Sequence, residues 1–467
     1  MSAADIVAVL VLIAGGASPT RQGFGTPALA AYFNPATHWQ NSGDRVRYYP
    51  TASALTMLVA DGFLPTGVVY RAFEAACSQS PAPPTLALLR RALPPTQILK
   101  LTFSDVVVGD KYALTIMGTG GIATSYTMPS TGVPATDAAS FAALLTALLI
   151  GTVSVSTNVI TITQIAGSLT DISAWTTGNI AINDATVDPG ITTDLAAIAA
   201  AGSTGWYSLS LDSNSLQEVK AAASWVEATG QGGHWGFFNS SDAPNCAASA
   251  SPVTDLNGEL EALSLMKCHL AQSNSQVLSV AGFALASLVT AMQPGSYQVA
   301  MKTIAGVVAD TDQTLTETQA LILNTASTSQ PGTGGKNGNY YKTVSGLNLT
   351  WPGVTPGGRW VDQGIFCDWL QNNVQADVLA YLAGLPAVPL TDIGIAGFAA
   401  VIKSRLKIGA SPPFGGIDGS RPIVVNVPLA ANMSPADRNA RNLSGVTATF
   451  FFSGAILSTE MIITGTP

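Results

Sequence analysis

The sequence predicts a multidomain chain of α/β and α+β character. An α/β core carries a small inserted α+β domain, a C-terminal α+β domain and extended terminal arms. Three observations predict this. After Gly190, strand-like runs alternate with helical ones, the pattern of an α/β layer. Between residues 98 and 189 the texture changes to hairpins around one helix, bounded by Pro94-Pro95 and Asp188-Pro189. A chain of 467 residues is also long for one core.

Residues 1–22 are the N-terminal arm. Ile6 to Ala14 is apolar and rich in β-branched residues, and it ends in Gly-Gly-Ala-Ser-Pro, so it reads as one strand. Met-Ser-Ala-Ala-Asp before it lacks the positive charge of a secretory leader, and the run is too short to span a bilayer as a helix. A lone strand leaves its backbone donors and acceptors unpaired. Ile6, Val7, Val9, Val11 and Ile13 therefore seek a sheet, in their own chain or in a neighbour's.

Residues 23–97 are the first part of the core. Ala28 to Phe33 and Leu86 to Arg91 read as strands, and Ala52 to Gly62 and Val68 to Ser78 as helices. In the insertion, 98–189, Lys111 to Met117 alternates and turns through Gly118-Thr-Gly-Gly121 into Ile122 to Met128, a hairpin by period and turn chemistry. Thr136-Asp137 is the expected cap of a helix reaching Leu149. Val153 to Thr163 supplies two short strands around Ser156-Thr-Asn158.

Residues 190–375 resume the core. Helices are expected over Thr193 to Ala201, Ser215 to Ala228, Glu259 to Ala271 and Val280 to Met292, with strands over Trp206 to Leu211 and His234 to Phe238. The Gly-, Ser- and Asn-rich run Ser327 to Asn339 reads as an exposed loop. Residues 376–467 are the last unit, with helices over Ala376 to Ala383 and Ile395 to Leu406 and strands over Ile423 to Val427, Val446 to Phe452 and Met461 to Thr464. Ser434 is a good N-cap, Pro435 suits the first helical position, and Arg438 and Arg441 then share one helical face.

Charged residues make up 10% of the chain, against about a quarter in an average globular protein. Two readings fit: a surface largely covered by other chains, or a low-charge β-rich monomer. The net charge of −8 and the lack of a lysine cluster disfavour nucleic-acid contact. No other run is long and apolar enough for a membrane span either, so no membrane insertion is expected. Cys77, Cys246, Cys268 and Cys367 show no C-x-x-C spacing and are expected as reduced thiols; Cys268-His269 is placed on a helix, where the two side chains diverge.

Catalytic constellations are scarce, and neither an enzyme nor a cofactor is expected. The histidines are His38, His234 and His269. Gly332-Thr-Gly-Gly-Lys336 fails as a phosphate loop, because Gln330 holds the first glycine position and Asn337 replaces the magnesium-binding hydroxyl. Asp362, Asp368 and Asp392 read as structural: Asp392 caps a helix and Asp368 anchors a turn.

The order of short motifs carries more. From Gly357, a Trp360/Asp362 pair precedes Asp368-Trp369-Leu370, a helix, Pro389-Leu-Thr-Asp-Ile-Gly394 and a second helix. Ser434-Pro-Ala-Asp-Arg-Asn-Ala-Arg441 then leads into Gly445-Val-Thr-Ala-Thr-Phe-Phe-Phe-Ser-Gly-Ala-Ile456 and Ile462-Ile-Thr-Gly465. Upstream, Asp44-Arg-Val-Arg-Tyr48, Ala-Ala-Cys-Ser-Gln79 and Leu-Leu-Arg-Arg91 fall in the same order. From Phe24 onward the chain resembles the tail sheath proteins of contractile bacteriophages; Ser458-Thr459 stand where relatives often carry a basic residue. The resemblance implies hexameric rings stacked helically around an inner tube, contracting to drive that tube through a host envelope. It implies other sheath subunits, the tail tube protein, and baseplate and tail terminator proteins as partners, in a virion assembled in the bacterial cytoplasm. It places the C-terminal unit nearest the tube and the insertion outermost. The terminal arms would add strands to neighbours, with Phe450, Phe452, Ile462 and Ile463 as C-terminal interface candidates and Arg438 and Arg441 as charge candidates toward the tube or a neighbour. A baseplate component or a virion adhesin is the alternative.

Overall fold

The structure is a computed structural model. It describes residues 24–33, 38–39, 44–91, 98–104, 107–117, 123–146, 151–164, 174–178, 180–184, 190–201, 205–230, 233–241, 243–248, 255–274, 280–324 and 335–454. The expected N-terminal strand, the turn Gly118–Gly121, and Met461 to Thr464 with Ile462 and Ile463 lie outside the described residues.

An eight-stranded sheet organises the core. Its spatial order is Leu347–Trp351, Asn339–Val344, Cys268–Gln272, Trp235–Ser240, Ser208–Leu211, Pro27–Tyr32, Thr85–Arg91 and Val46–Pro50. The six inner strands run parallel; the two edges run antiparallel to their neighbours. Parallel strands need both faces covered. Accordingly, every residue of Ser208–Leu211, Trp235–Ser240 and Cys268–Gln272 is buried. On one face, Phe237 packs with Phe73 and Phe283 of the helices Val68–Cys77 and Val280–Ala291. On the other, Leu209 and Leu270 pack with Leu195, Val219 and Leu260 of the helices Ile191–Ala200, Leu216–Ala228 and Leu256–Ala262.

Residues 98–184 have a separate core. Ile180–Asp184, Ile98–Phe103, Val159–Gln164 and Gly151–Ser156 form one antiparallel sheet, and Ala123–Pro129, Lys111–Met117 and Ala174–Gly178 another. The helix Pro134–Thr146 sets Phe141 and Leu145 among Leu101, Phe103, Tyr112 and Ile160.

The C-terminal region is built on the helices Val361–Ala383 and Asp392–Ala410. The first helix runs unbroken through residue 376. Phe366, Trp369, Val374 and Val378 meet Ile402, Leu406 and Ile417 in a further core. Beside it lies a sheet with two short strands among the described residues, Val424–Asn426 and Thr447–Thr449.

Several expectations need correction. The helix expected over Glu259 to Ala271 stops at Ala262, and Cys268–Gln272 is a central strand. Its short apolar run fits either period, and burial on both faces decides for the strand. Lys336 to Asn339, expected in an exposed loop, are buried, and Asn339 starts a strand. Asp368 lies inside a helix and anchors no turn. The insertion helix begins at Pro134, so Thr136-Asp137 does not cap it; Asp137 instead accepts from the Thr131 N–H and from the Ser130 and Thr131 hydroxyls. Thr391, and not Asp392, caps its helix, accepting from the Gly394 N–H.

Candidate functional site

The C-terminal sheet is the most incomplete element among the described residues. Two three-residue strands make a marginal sheet in water. Thr447–Thr449 is exposed at every position, and among the described residues each strand has a partner on one side only. The expected strand Val446 to Phe452 is thus shorter. Phe452 joins an isolated bridge to Ile417, and its ring stands 5.3 Å from Phe450 and 6.4 Å from Phe366. Both candidate interface phenylalanines are half-buried on their own cluster.

The helix Pro435–Ala440 begins as expected, with the Ser434 hydroxyl accepting from the Asp437 N–H and Pro435 in the first turn. Arg441 is not on it. It caps the helix in a left-handed conformation, φ 52°, so the two arginines do not share a helical face. Arg438 donates to the Ala430 carbonyl. Both arginines are exposed and form no ion pair among the described residues. The missed signal is the run Asn442-Leu443-Ser444-Gly445, whose Asn, Ser and Gly favour a helix end over a helix interior.

A polar seam joins this region to the core. Asp368 accepts from the Tyr207 hydroxyl at 2.9 Å and pairs with Lys267 Nζ at 3.1 Å. Burial pulls the Lys267 ammonium below its ordinary pKa, and the Asp368 carboxylate pulls it back up. The Phe24 ring lies 4.6 Å from that of Tyr207, tilted by 48°, so the first described residue packs at this seam. Sequence reasoning missed Tyr207 and Lys267, which no local pattern marks.

The remaining titratable groups are structural in setting. Buried Arg91 pairs with Glu218 and, at 3.4 Å, with Asp212. Burial pushes the Asp212 carboxyl up to about 6, and Arg91 opposes that. Lys336, the would-be phosphate-loop lysine, is buried and pairs with Asp255 at 3.0 Å. His234 stacks on Trp206 at 3.7 Å; burial and Lys267 bring it down to about 4. The four cysteines are free thiols. Cys268 and His269 diverge as neighbours on a strand do, not as neighbours on a helix. Asp362, Asp368 and Asp392 have separate settings: Asp392 accepts from the Ala430 N–H, and Asp362 lines a cleft. Among the described residues no group of three or more His, Cys, Asp or Glu is placed to hold a metal, and no helix is long and apolar enough to cross a membrane.

No protein-family model matches the chain, and no curated protein matches it. Among solved structures it is similar to the sheath complex of the PVC extracellular contractile injection system in its contracted state. That match has a TM-score of 0.50 at 8% identity and covers 98% of this chain and 95% of that chain. The fold is a contractile-sheath fold. The match spans nearly the whole of both chains. A sheath tail protein from Listeria innocua matches with a TM-score of 0.43 at 10% identity over 92% of this chain and 95% of that one. A chain of the anti-feeding prophage baseplate, six-fold symmetrised, matches with a TM-score of 0.41 at 14% identity over 60% and 73%.

Proposed function

We propose that this chain is the structural subunit of a contractile tail sheath. Subunits polymerise as hexameric rings stacked around an inner tube, and the sheath contracts to drive that tube through a host envelope for genome ejection. The carrying observation is the two-stranded sheet Val424–Asn426/Thr447–Thr449, whose outer edges have no strand partner among the described residues. Free edges are templates for strand addition. Neighbours' arms, Ile6 to Ile13 from one side and Ile462-Ile463 from another, are the strands that complete it. Each added ladder hydrogen bond contributes about 0.5–1.5 kcal/mol net, and repetition over identical interfaces makes the lattice strong while subunits pivot.

On this reading the domains are the arm 1–22, the core 23–97 and 190–375, the outer insertion 98–189 and the tube-facing unit 376–467. Arg438 and Arg441 meet carboxylates of the tube or of a neighbour. The tube protein, the baseplate and the terminator are the other partners, in a phage tail assembled in the bacterial cytoplasm. The chain acts mechanically, not as an enzyme. Electron microscopy of the purified protein tests the reading: tubes or stacked rings are expected, and dispersed monomers under all assembly conditions would sink it.

A further inference from the structure

The seam brings an amine and a carboxyl together out of water. Lys267 stands at the entry to the strand Cys268–Gln272, and Asp368 in the first half of the helix Val361–Ala383; both side chains are almost wholly buried. The Trp235 ring closes the site. It lies 5.9 Å from Lys267 Nζ, and a side chain at Gly364 of the same helix would collide with it. Nζ also donates to the Gly230 carbonyl. Burial pulls the Lys267 ammonium below its ordinary pKa, the Asp368 carboxylate opposes this, and the nearby Arg359 guanidinium pulls with burial. A second group meets the same carboxylate oxygen: the Tyr207 hydroxyl donates to Asp368 Oδ2 at 2.9 Å. Burial, and then the Asp368 charge, hold Tyr207 well above its ordinary pKa, so this hydroxyl keeps its proton.

We propose that Lys267 and Asp368 condense to an isopeptide bond within the folded chain, with the Tyr207 hydroxyl assisting at Oδ2. A proton passes from Nζ to Oδ2 across their 3.1 Å contact, which removes two charges from an interior where both are costly. The Nζ lone pair then forms a bond to Cγ. The Cγ–Oδ2 bond breaks, and Oδ2 leaves as water with two protons, both from Nζ. One N–H remains on the amide, and the balance needs no further reactant. The hydrogen bond from Tyr207 steadies the charge that gathers on Oδ2 as it departs. The strand and the helix hold amine and carboxyl in contact, which supplies the orientation that an encounter in water lacks.

A second buried pair provides an internal comparison. Lys336 Nζ stands 3.0 Å from Asp255 Oδ2, but that carboxylate accepts from the Gly258 N–H and from no hydroxyl among the described residues. The cross-link is therefore assigned to the Lys267 pair. It concerns the single chain and does not depend on the sheath reading.

Intact-mass spectrometry of the folded wild type after prolonged incubation should show a species lighter by one water. Trypsin should then leave the chain uncut after Lys267, and fragment spectra should show one branched peptide joining Lys267 to Asp368. Lys267→Arg and Asp368→Ala should each keep the full mass. Tyr207→Phe leaves both reacting groups in place and should slow condensation by at least about tenfold; a purely structural tyrosine would shift the melting temperature and leave the rate alone. A folded wild type that keeps its full mass and is cut after Lys267 overturns the proposal. So does a water loss that maps to Lys336 or to an aspartyl succinimide. Condensation of Tyr207→Phe at the wild-type rate removes the tyrosine from the reaction.

Discussion

Lys267 Nζ stands 3.1 Å from Asp368 Oδ2, both side chains almost wholly buried, so one ion pair ties the entry to a central strand to the first half of the long C-terminal helix. The Tyr207 hydroxyl donates to the same carboxylate oxygen at 2.9 Å, from the next strand but one.

Breaking that pair from one side leaves a buried charge uncompensated. Asp368→Ala should cost about 3–5 kcal/mol in urea unfolding, whereas Lys267→Met/Asp368→Leu should cost less than the single variant. Equal losses would show that the pair contributes only packing.

His269 gives a pH signature. Burial holds it down to about 3, and neither ring nitrogen has a partner among the described residues. Between that value and the ordinary one near 6.5, the unfolded chain binds a proton that the folded chain refuses. The contribution is intact above about pH 6.5 and is lost as pH falls, at roughly 1.4 kcal/mol per pH unit. Relative to His269→Leu, the wild type should therefore lose stability between pH 6.5 and 4. A stability difference that does not change with pH would refute this.

Deleting residues 1–20 should leave a soluble, folded monomer that does not polymerise, as circular dichroism and sedimentation will read. Normal tubes from the truncated chain would remove the arm from the assembly mechanism.

Replacing Leu99 to Val187 by a short Gly/Ser linker removes a segment whose core shares no residue with the other clusters. The remainder should melt cooperatively and still assemble. Collapse of the far-ultraviolet signal would contradict an independent outer domain.

Much of the framework was legible in the sequence. Pro27–Tyr32 and Thr85–Arg91 are short apolar runs closed by turn residues, the mark of strands buried on both faces. The hairpin Gly151–Ser156/Val159–Gln164 follows from Ser-Thr-Asn at its turn, where Thr157 takes φ 54°. What escaped depends on distant partners. Asp368 is bonded to a residue 161 positions away, so its surroundings in sequence describe a turn and its surroundings in space describe a seam. Lys336 reads as a loop lysine until Asp255 is beside it. Arg441 was placed on a helix because charge spacing says nothing of where a helix stops.

The central claim is that neighbouring chains complete the sheet Val424–Asn426/Thr447–Thr449. A helical reconstruction of the assembled protein by electron cryomicroscopy tests it most directly. The account predicts density for added strands on both outer edges of that sheet, traceable to the termini of two other subunits. A polymer in which those edges stay bare, or are filled by the subunit's own arms, would contradict it.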